Sequence, residues 1–377
     1  MHITEQTRGR FAPDKRTAIL ELRPVDNNLN SFQLVTTEAK AEEYFNQLLV
    51  KQGISNTKVK INLLPDSSVE GNITGIVNLS VANLRVAPRN QAELASQVLL
   101  GTPLDLLQRA NGYYRVRTPE GYISWVSASS VTPMTASELQ QWHAANKVIV
   151  VSDFGHAYTE PDIQSLRVSD LVMGNILIAK QESDNAFINV QYPDGRNAYV
   201  KRELVRPFDE WLGMLKPTAE SIISTAKTMM GLPYLWGGTS VKGVDCSGFT
   251  KTAFYMNGIV IPRDASQQVL AGHPVDILSA DTLDTEKALR NLKPADLLFF
   301  ASGSNRGPDA RITHVALYLG NGEFIHSAGT VRINSILSSA PNFDDFQTRT
   351  LVAARRYLGE TDPALQSMSR HPSYSLN

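Results

Sequence analysis

The chain has 377 residues, enough for two to four domains, with 19% charged residues and a net charge of −1. This balance gives no indication of nucleic acid or an anionic membrane surface as a partner. The single cysteine excludes an intramolecular disulfide and a thiolate-rich zinc site. No run approaches the roughly 18 apolar residues that indicate a membrane-spanning helix.

The first residues of the chain lack the apolar core of a secretory signal peptide. We therefore expect either a cytoplasmic protein or a cell-envelope protein whose signal has been removed. The composition leaves the oligomeric state open.

Residues 1–70 read as a short α/β segment with no chemistry of its own. Strand-like residues 17–22 precede a helical pattern over residues 37–52, which Gly53 ends. One side of this helical pattern is apolar: Ala41, Tyr44, Phe45, Leu48 and Leu49.

Residues 71–207 contain a degenerate internal repeat. Residues 112–126 and 186–200 each read as a strand, a turn of proline, an acidic residue and glycine, and a second strand. Several short strands with such turns predict small barrels, and both copies resemble bacterial SH3-like domains, the first more clearly. We expect the two barrels at residues 71–133 and 147–207, with a short helix near residues 137–143 between them.

A linker near residues 208–217 leads into an α+β domain that spans residues 216–358. Its helices come first, over residues 218–230 and from Cys246 to about Gly258. Strands follow at residues 296–300, 314–319 and 323–327, so the pattern predicts helices packed on an antiparallel sheet. We expect the tail at residues 359–377 to be poorly ordered.

Cys246 begins the second of these helices, directly after Asp245. A cysteine in the first turn of a helix lies against unpaired N–H groups and the positive end of the helix dipole, which favour the thiolate and lower the thiol pKa. The alternative is an inert, buried, small apolar residue.

Two histidines on later strands, His314 and His326, complete a nucleophile–base–orienter set. His314 would take the thiol proton, and His326 would accept the ring N–H of His314 and fix its orientation. Each could instead be a structural residue of a strand or hairpin. Since strand side chains alternate, the two histidines share a sheet face only if residues 320–322 form an odd-length loop or one strand carries a bulge.

Residues close to Cys246 in sequence have both structural and functional interpretations. Asp245 is suited to cap the helix, and its carboxylate is equally suited to bind a substrate ammonium group. Ser247 could do likewise or simply sit in the first helical turn. Tyr234 could be packing, and Trp236 is expected in the core.

Glycines and charges around the cysteine also predict local structure. Gly237 and Gly238 would let two backbone segments approach closely. Arg263 and Asp264 are expected to form an internal ion pair.

These residues resemble the NlpC-type cell-wall cysteine peptidases, which are papain-like in fold, over about residues 216–358. The matching positions are Tyr234, Trp236-Gly237-Gly238, Asp245-Cys246-Ser247-Gly248, Pro262-Arg263, Pro294-Ala295-Asp296-Leu297, His314-Val315 and His326. The resemblance implies Cys246 as nucleophile, His314 as base and His326 as orienter, with Tyr234 lining the site.

Members of that family with two SH3-like domains look like dipeptidyl-peptidases that cut γ-D-glutamyl–L-diamino acid bonds of murein peptides and release L-Ala-γ-D-Glu. The resemblance implies that Glu93 and Tyr122 of the first SH3-like domain join Asp245 in holding the free N-terminal amine. Glu93 could otherwise be a solvated loop charge. Some members have serine directly after the Arg–Asp pair, whereas Ala265 stands here before Ser266.

We therefore expect a cysteine peptidase of murein peptides that needs no metal or cofactor. An amidase or acyltransferase on the same fold is the nearest alternative, because hydrolysis and transfer share a thioester. A wall-binding protein with an idle peptidase domain is a further alternative. The sequence does not distinguish diaminopimelate from lysine as the diamino acid.

Overall fold

The computed structural model describes residues 2–25, 31–54, 58–182, 186–303, 310–344 and 348–374. The first elements of the chain form a three-stranded sheet in the order β1-β2-β3, with β2 and β3 parallel. They are α1 (His2–Phe11), β1 (Leu20–Pro24), β2 (Ser31–Thr36), α2 (Ala39–Lys51) and β3 (Lys58–Leu63). The helical pattern around residue 45 predicted α2, whereas α1 was not anticipated.

Two seven-stranded sheets follow, and they have the same topology. The first contains β4 (Thr74–Val77), β5 (Val81–Arg85), β6 (Leu94–Leu99), β7 (Pro103–Ala110), β8 (Tyr113–Arg117), β9 (Ile123–Ser127) and β10 (Val131–Met134). The second contains β11 (Lys147–Val150), β12 (Phe154–Tyr158), β13 (Arg167–Val172), β14 (Ile176–Glu182), β15 (Phe187–Gln191), β16 (Asn197–Lys201) and β17 (Val205–Pro207).

The strand orders β10-β4-β7-β8-β9-β5-β6 and β17-β11-β14-β15-β16-β12-β13 correspond position by position. A one-turn 3-10 helix precedes the last strand of each copy, at Ala128–Ser130 and Arg202–Leu204. The repeat seen in the sequence is therefore a repeat of topology. The described pairs leave both sheets open at their edges, so closure into barrels stays a prediction.

Short helices join these sheets to each other and to the last domain. α3 (Ala136–Ala144) lies between the sheets, where the sequence predicted a helix, and begins with a capping box of Thr135 and Glu138. α4 (Phe208–Met214) follows the second sheet and buries Phe208 and Trp211.

The last domain packs helices against a six-stranded antiparallel sheet. Its helices are α5 (Ala219–Thr228), α6 (Cys246–Tyr255), α7 (Ala265–Gln268) and α8 (Thr285–Asn291). Its early strands are β18 (Thr239–Ser240), β19 (Gly243–Val244), β20 (Ile259–Val260), β21 (His273–Pro274), β22 (Leu278–Ser279) and β23 (Thr282–Leu283). Its later strands are β24 (Leu297–Ser302), β25 (Ile312–Gly320), β26 (Glu323–Ala328), β27 (Thr330–Ser335), β28 (Arg349–Arg356) and β29 (Gln366–Ser367). The strand order of the six-stranded sheet is β21-β28-β24-β25-β26-β27.

The hairpin between β25 and β26 combines a tight turn with a bulge. Tyr318 pairs with Phe324 and Gly320 pairs with Glu323, which leaves Leu319 as the extra residue. Asn321 and Gly322 both have positive φ, as a two-residue turn of this kind requires. The predicted bulge is confirmed, and it places His314 and His326 on the same face of the sheet.

The expectation of a poorly ordered tail is wrong for residues 359–374. β29 pairs with β20, and the Met368 N–H donates to the Gly258 carbonyl at 2.8 Å. Tyr374 is buried beside Tyr255. The tail therefore completes the packing around the far end of α6. Among the described helices, none is long and apolar enough to cross a membrane.

Candidate active site

Cys246 is the first residue of α6, and its surroundings hold the start of that helix tightly in place. Asp245 caps the helix by accepting the Gly248 N–H at 2.6 Å, and its second oxygen accepts the Gly237 N–H at 3.0 Å. A side-chain carbon at Gly248 would lie 1.9 Å from the Gly238 carbonyl oxygen, so only glycine fits there. Cys246 is consequently 6% exposed.

The sulfur of Cys246 lies against the strand that carries His314. The backbone N–H groups of Val315 and Ser247 act on the sulfur to lower the thiol pKa and favour the thiolate. Burial acts more strongly and raises the pKa of the Cys246 thiol to about 12, with the negative charge of Asp245 acting in the same direction. The sequence-based expectation of a lowered thiol pKa is therefore wrong for the free protein, because the helix start is enclosed.

The two predicted histidines are joined directly. His314 Nε2 lies 2.8 Å from His326 Nδ1, with the ring planes nearly perpendicular. Burial lowers the pKa of His314 well below its usual value and lowers the pKa of His326 to about 4. Both rings are therefore neutral near pH 7. The structure brings His314 and His326 together, and Cys246 lies against the backbone of Val315, the residue after His314.

Asn334 on β27 extends this chain of contacts by one residue. Its Oδ1 lies 3.0 Å from His326 Nε2, and its Nδ2 donates to the Asn342 carbonyl at 3.1 Å. Sequence reasoning missed this residue. The sequence placed Asn334 only on the strand that follows His326. The strand register makes the connection, because Asn334 pairs with Phe324, two residues before His326 on β26.

Tyr234 lies at the open side of the site, with 36% of its surface exposed. Burial raises the pKa of its phenol, and electrostatic interaction with Cys246 and Asp245 acts in the same direction. Ser247 points inward instead, because its hydroxyl donates to Asp245 at 3.3 Å and accepts from Arg263 at 3.0 Å.

Arg263 pairs chiefly with Asp245, whereas the sequence pattern predicted Asp264 as its partner. Its side chain has no exposed surface and binds both oxygens of Asp245, at 2.7 and 3.1 Å. Asp264 lies farther away, at 3.9 Å. The expected Arg263–Asp264 pair is therefore secondary to the Arg263–Asp245 pair. Arg263 Nε also donates to Ser96 of the first seven-stranded sheet at 2.7 Å, which ties the two domains together.

Comparison with known proteins gives two family matches. The model of the NlpC/P60 family matches residues 231–354, and that of the bacterial dipeptidyl-peptidase SH3 domain matches residues 84–131. The chain is 28% identical over 294 residues to dipeptidyl-peptidase 6 of Lysinibacillus sphaericus, covering 74% of this chain and 98% of that protein. It is 30% identical over 280 residues to the gamma-D-glutamyl-L-lysine dipeptidyl-peptidase of Bacillus cereus, covering 71% of this chain and 77% of that protein.

The chain belongs to the NlpC/P60 family. A crystal structure of an NlpC/P60 family protein from Bacillus cereus has a similar fold, with a TM-score of 0.61 and 25% identity. The similarity covers 76% of this chain and 99% of that one. The protein is thus an NlpC/P60 cysteine peptidase with a bacterial SH3 domain.

The SH3 domain of this NlpC/P60 peptidase reaches the rim of the site through Glu93. The indole N–H of Trp236 donates to Glu93 Oε1 at 2.8 Å. Trp236 is 60% exposed, so its expected place in the core is wrong. Gly237 follows with φ of +78°, and a side-chain carbon there would lie 2.7 Å from the Leu94 carbonyl oxygen. The glycine therefore permits close docking of the Trp236 loop on the SH3 domain.

Tyr122 is buried and lines a cleft of about 340 Å³ between the N-terminal segment and the SH3 domain. Burial raises the pKa of its phenol, and the charge of Asp264 adds to the effect. Arg16 of the N-terminal segment lines the same cleft and donates to Asp264 at 2.8 Å and to Ser266 at 2.9 Å. Ser266 of α7 is therefore bound to the N-terminal segment. That segment also lines the cleft with the SH3 domain, so it contacts both.

Proposed function

We propose that this NlpC/P60 peptidase hydrolyses the γ-D-glutamyl–L-diamino acid bond of murein stem peptides with a free N-terminal L-Ala, releasing L-Ala-γ-D-Glu. The observation that carries the proposal is the Trp236–Glu93 hydrogen bond, because it ties an SH3-domain carboxylate to the loop whose next residue, Gly237, binds Asp245. The name of the Bacillus cereus relative, a gamma-D-glutamyl-L-lysine dipeptidyl-peptidase, supports the same substrate class.

In this proposal Cys246 is the nucleophile and His314 the general base. Since His314 Nε2 is bonded to His326, its Nδ1 is the nitrogen left to accept the thiol proton. The sulfur forms a bond to the γ-glutamyl carbonyl carbon, and collapse of the tetrahedral intermediate breaks the carbon–nitrogen bond. The leaving amine takes the proton from His314, and water then hydrolyses the thioester.

The oxyanion of each tetrahedral intermediate needs donors that are already in place. We assign this role to the first N–H groups of α6 and to the Tyr234 hydroxyl, which is electrostatically coupled to Cys246. Ser247 contributes indirectly, because its hydroxyl supports Asp245 and Arg263 beneath the helix start.

We assign the substrate ammonium group chiefly to Glu93. Its Oε1 accepts the Trp236 indole N–H, and its Oε2 has no hydrogen-bond partner within the described ranges. Asp245 is the weaker partner, because Arg263, Gly237, Gly248 and Ser247 already donate to its two oxygens. Tyr122 closes the same side of the site in this proposal, from its place beside the Arg263–Asp264 pair.

A Glu93→Gln variant tests this assignment. It retains an oxygen for the Trp236 indole but removes the charge, so kcat/KM on L-Ala-γ-D-Glu-diamino acid peptides should fall about tenfold or more. Wild-type protein should not cleave the same peptides acetylated at the amine. Equal rates on free and acetylated peptides would contradict the proposal and indicate an enzyme that cuts intact wall. Glu70→Gln, at an exposed residue directly before the first SH3-like domain, is the control.

A further inference from the structure

The contacts of Asn334 fix the orientation of its side-chain amide. Arg332 Nε, which can only donate, lies 3.1 Å from Asn334 Oδ1. The Asn342 carbonyl, which can only accept, lies 3.1 Å from Asn334 Nδ2. Two independent neighbours thus require the same assignment of oxygen and nitrogen. The atom that faces His326 Nε2 at 3.0 Å is therefore the carbonyl oxygen.

This orientation determines where both histidines carry their protons. An oxygen acceptor requires His326 Nε2 to carry hydrogen, which leaves Nδ1 of the neutral ring as an acceptor. His314 Nε2, 2.8 Å from that Nδ1, must then donate. Its remaining nitrogen, Nδ1, is unprotonated, which is the state that a general base needs.

We propose that Asn334 is a positioning residue that selects the ring tautomer of His326 and, through it, the tautomer of His314. The inference rests on the proposed role of His314 as the base. Without the Asn334 oxygen, His326 could place its proton on Nδ1 and face the His314 Nε2–H. His314 would then move its own proton to Nδ1, and the ring would lose the lone pair directed to the Cys246 thiol.

The other groups around His326 do not select a tautomer in this way. Arg349 and Arg332 lower the pKa of His326 through their charges, and Asp344 raises it. These charges shift the balance between neutral and protonated rings. Of the contacts described at His326 Nε2, only the one to Asn334 Oδ1 requires a proton on that nitrogen.

The test is ¹⁵N NMR of histidine-labelled protein without substrate, so that it does not depend on the proposed reaction. In the wild type, both Nε2 atoms should show the shifts of protonated ring nitrogens and both Nδ1 atoms those of unprotonated ones, with assignments from His314→Gln and His326→Gln. In Asn334→Ala, the His326 signals should move to the averaged shifts of a tautomer mixture. Asn342→Ala, which keeps the backbone carbonyl, should match the wild type.

Kinetics add a second readout. Asn334→Ala should lower kcat on the order of tenfold with KM unchanged, and Asn334→Asp, whose carboxylate still accepts from Nε2, should restore most of it. Unchanged His326 tautomers in folded Asn334→Ala would overturn the inference. If that variant does not fold, the wild type decides: a proton on His326 Nδ1 overturns the inference, and one on Nε2 supports it. Correct tautomers without peptide cleavage would contradict the proposed function alone.

Discussion

Cys246 and His314 both lie in an environment that disfavours their charged forms. Burial raises the pKa of the thiol and lowers the pKa of the imidazole, so the free enzyme holds a neutral thiol beside a neutral base. In the proposed mechanism, attack by Cys246 and proton transfer to His314 therefore occur together when substrate binds. This differs from a resting thiolate–imidazolium pair.

The pH dependence of Cys246 alkylation distinguishes these two resting states. Iodoacetamide reacts with the thiolate, so a raised thiol pKa predicts a rate that increases through the alkaline range with a midpoint above the roughly 8.5 of a free cysteine. The same protein unfolded in urea provides the reference. A rate that is high and constant between pH 5 and 8 would instead indicate a resting ion pair.

Asp245 contributes to stability, because it is the partner of a fully buried guanidinium. Asp245→Ala leaves Arg263 unpaired in the interior and should cost about 3–5 kcal/mol in the free energy of urea unfolding. Asp264→Asn is the control, since Asp264 lies 3.9 Å from Arg263 and asparagine still caps α7. Equal losses in the two variants would show that the Arg263–Asp245 pair is not decisive.

At the scale of elements, the β25–β26 hairpin shows how register positions chemistry. The need for two histidines on one face predicted a bulge, and the structure has one at Leu319. Leu317 pairs with Ile325, so the same register sets Ala316 opposite His326. His314 is two residues before Ala316 and therefore lies on the same face as His326. The bulge accommodates this register next to a two-residue turn.

Deleting Leu319 should therefore leave the histidine pair intact. Tyr318 would still pair with Phe324 and Gly320 with Glu323, now in a regular hairpin. Leu319→Ala, which loses the same side-chain contacts with the core, is the matched control. We expect kcat/KM of the two variants to agree within a few-fold. An inactive but folded deletion variant beside an active Leu319→Ala would show that the bulge itself is required.

Sequence patterns predicted the parts of the site that depend on local geometry. The cap at Asp245, the helix after Cys246 and the close approach at Gly237 follow from residue types and spacing. The long-range partners did not follow. Trp236 was expected in the core because it is aromatic, yet it lies at a domain junction where Glu93, 143 residues earlier, binds its indole.

Asn334 and the tail were missed for related reasons. Asn334 stands eight residues after His326, and only the register of two strands brings its amide to the ring. The tail is polar, which is typical of disorder, but its backbone hydrogen bonds to β20 and Gly258 hold it in place. Neither relation leaves a periodic signal in the sequence.

In the whole molecule, the first seven-stranded sheet is joined to the catalytic domain by buried hydrogen bonds. On β6, Ser96 accepts from Arg263, and Gln97 accepts the Thr239 N–H at 3.0 Å and the Thr239 hydroxyl at 3.0 Å. These buried contacts fix the Trp236 loop and Glu93 relative to Cys246. The closed side of the proposed site is therefore built from two domains, which a catalytic domain alone would not reproduce.

In the proposed reaction, Cys246 cleaves after the γ-glutamyl residue of a free stem peptide. Mass spectrometry of L-Ala-γ-D-Glu-L-diamino acid peptides, with lysine or diaminopimelate, tests it most directly. We predict release of L-Ala-γ-D-Glu by the wild type and no product from folded Cys246→Ala. Cleavage at another bond, transfer without hydrolysis, or turnover retained in Cys246→Ala would contradict the account.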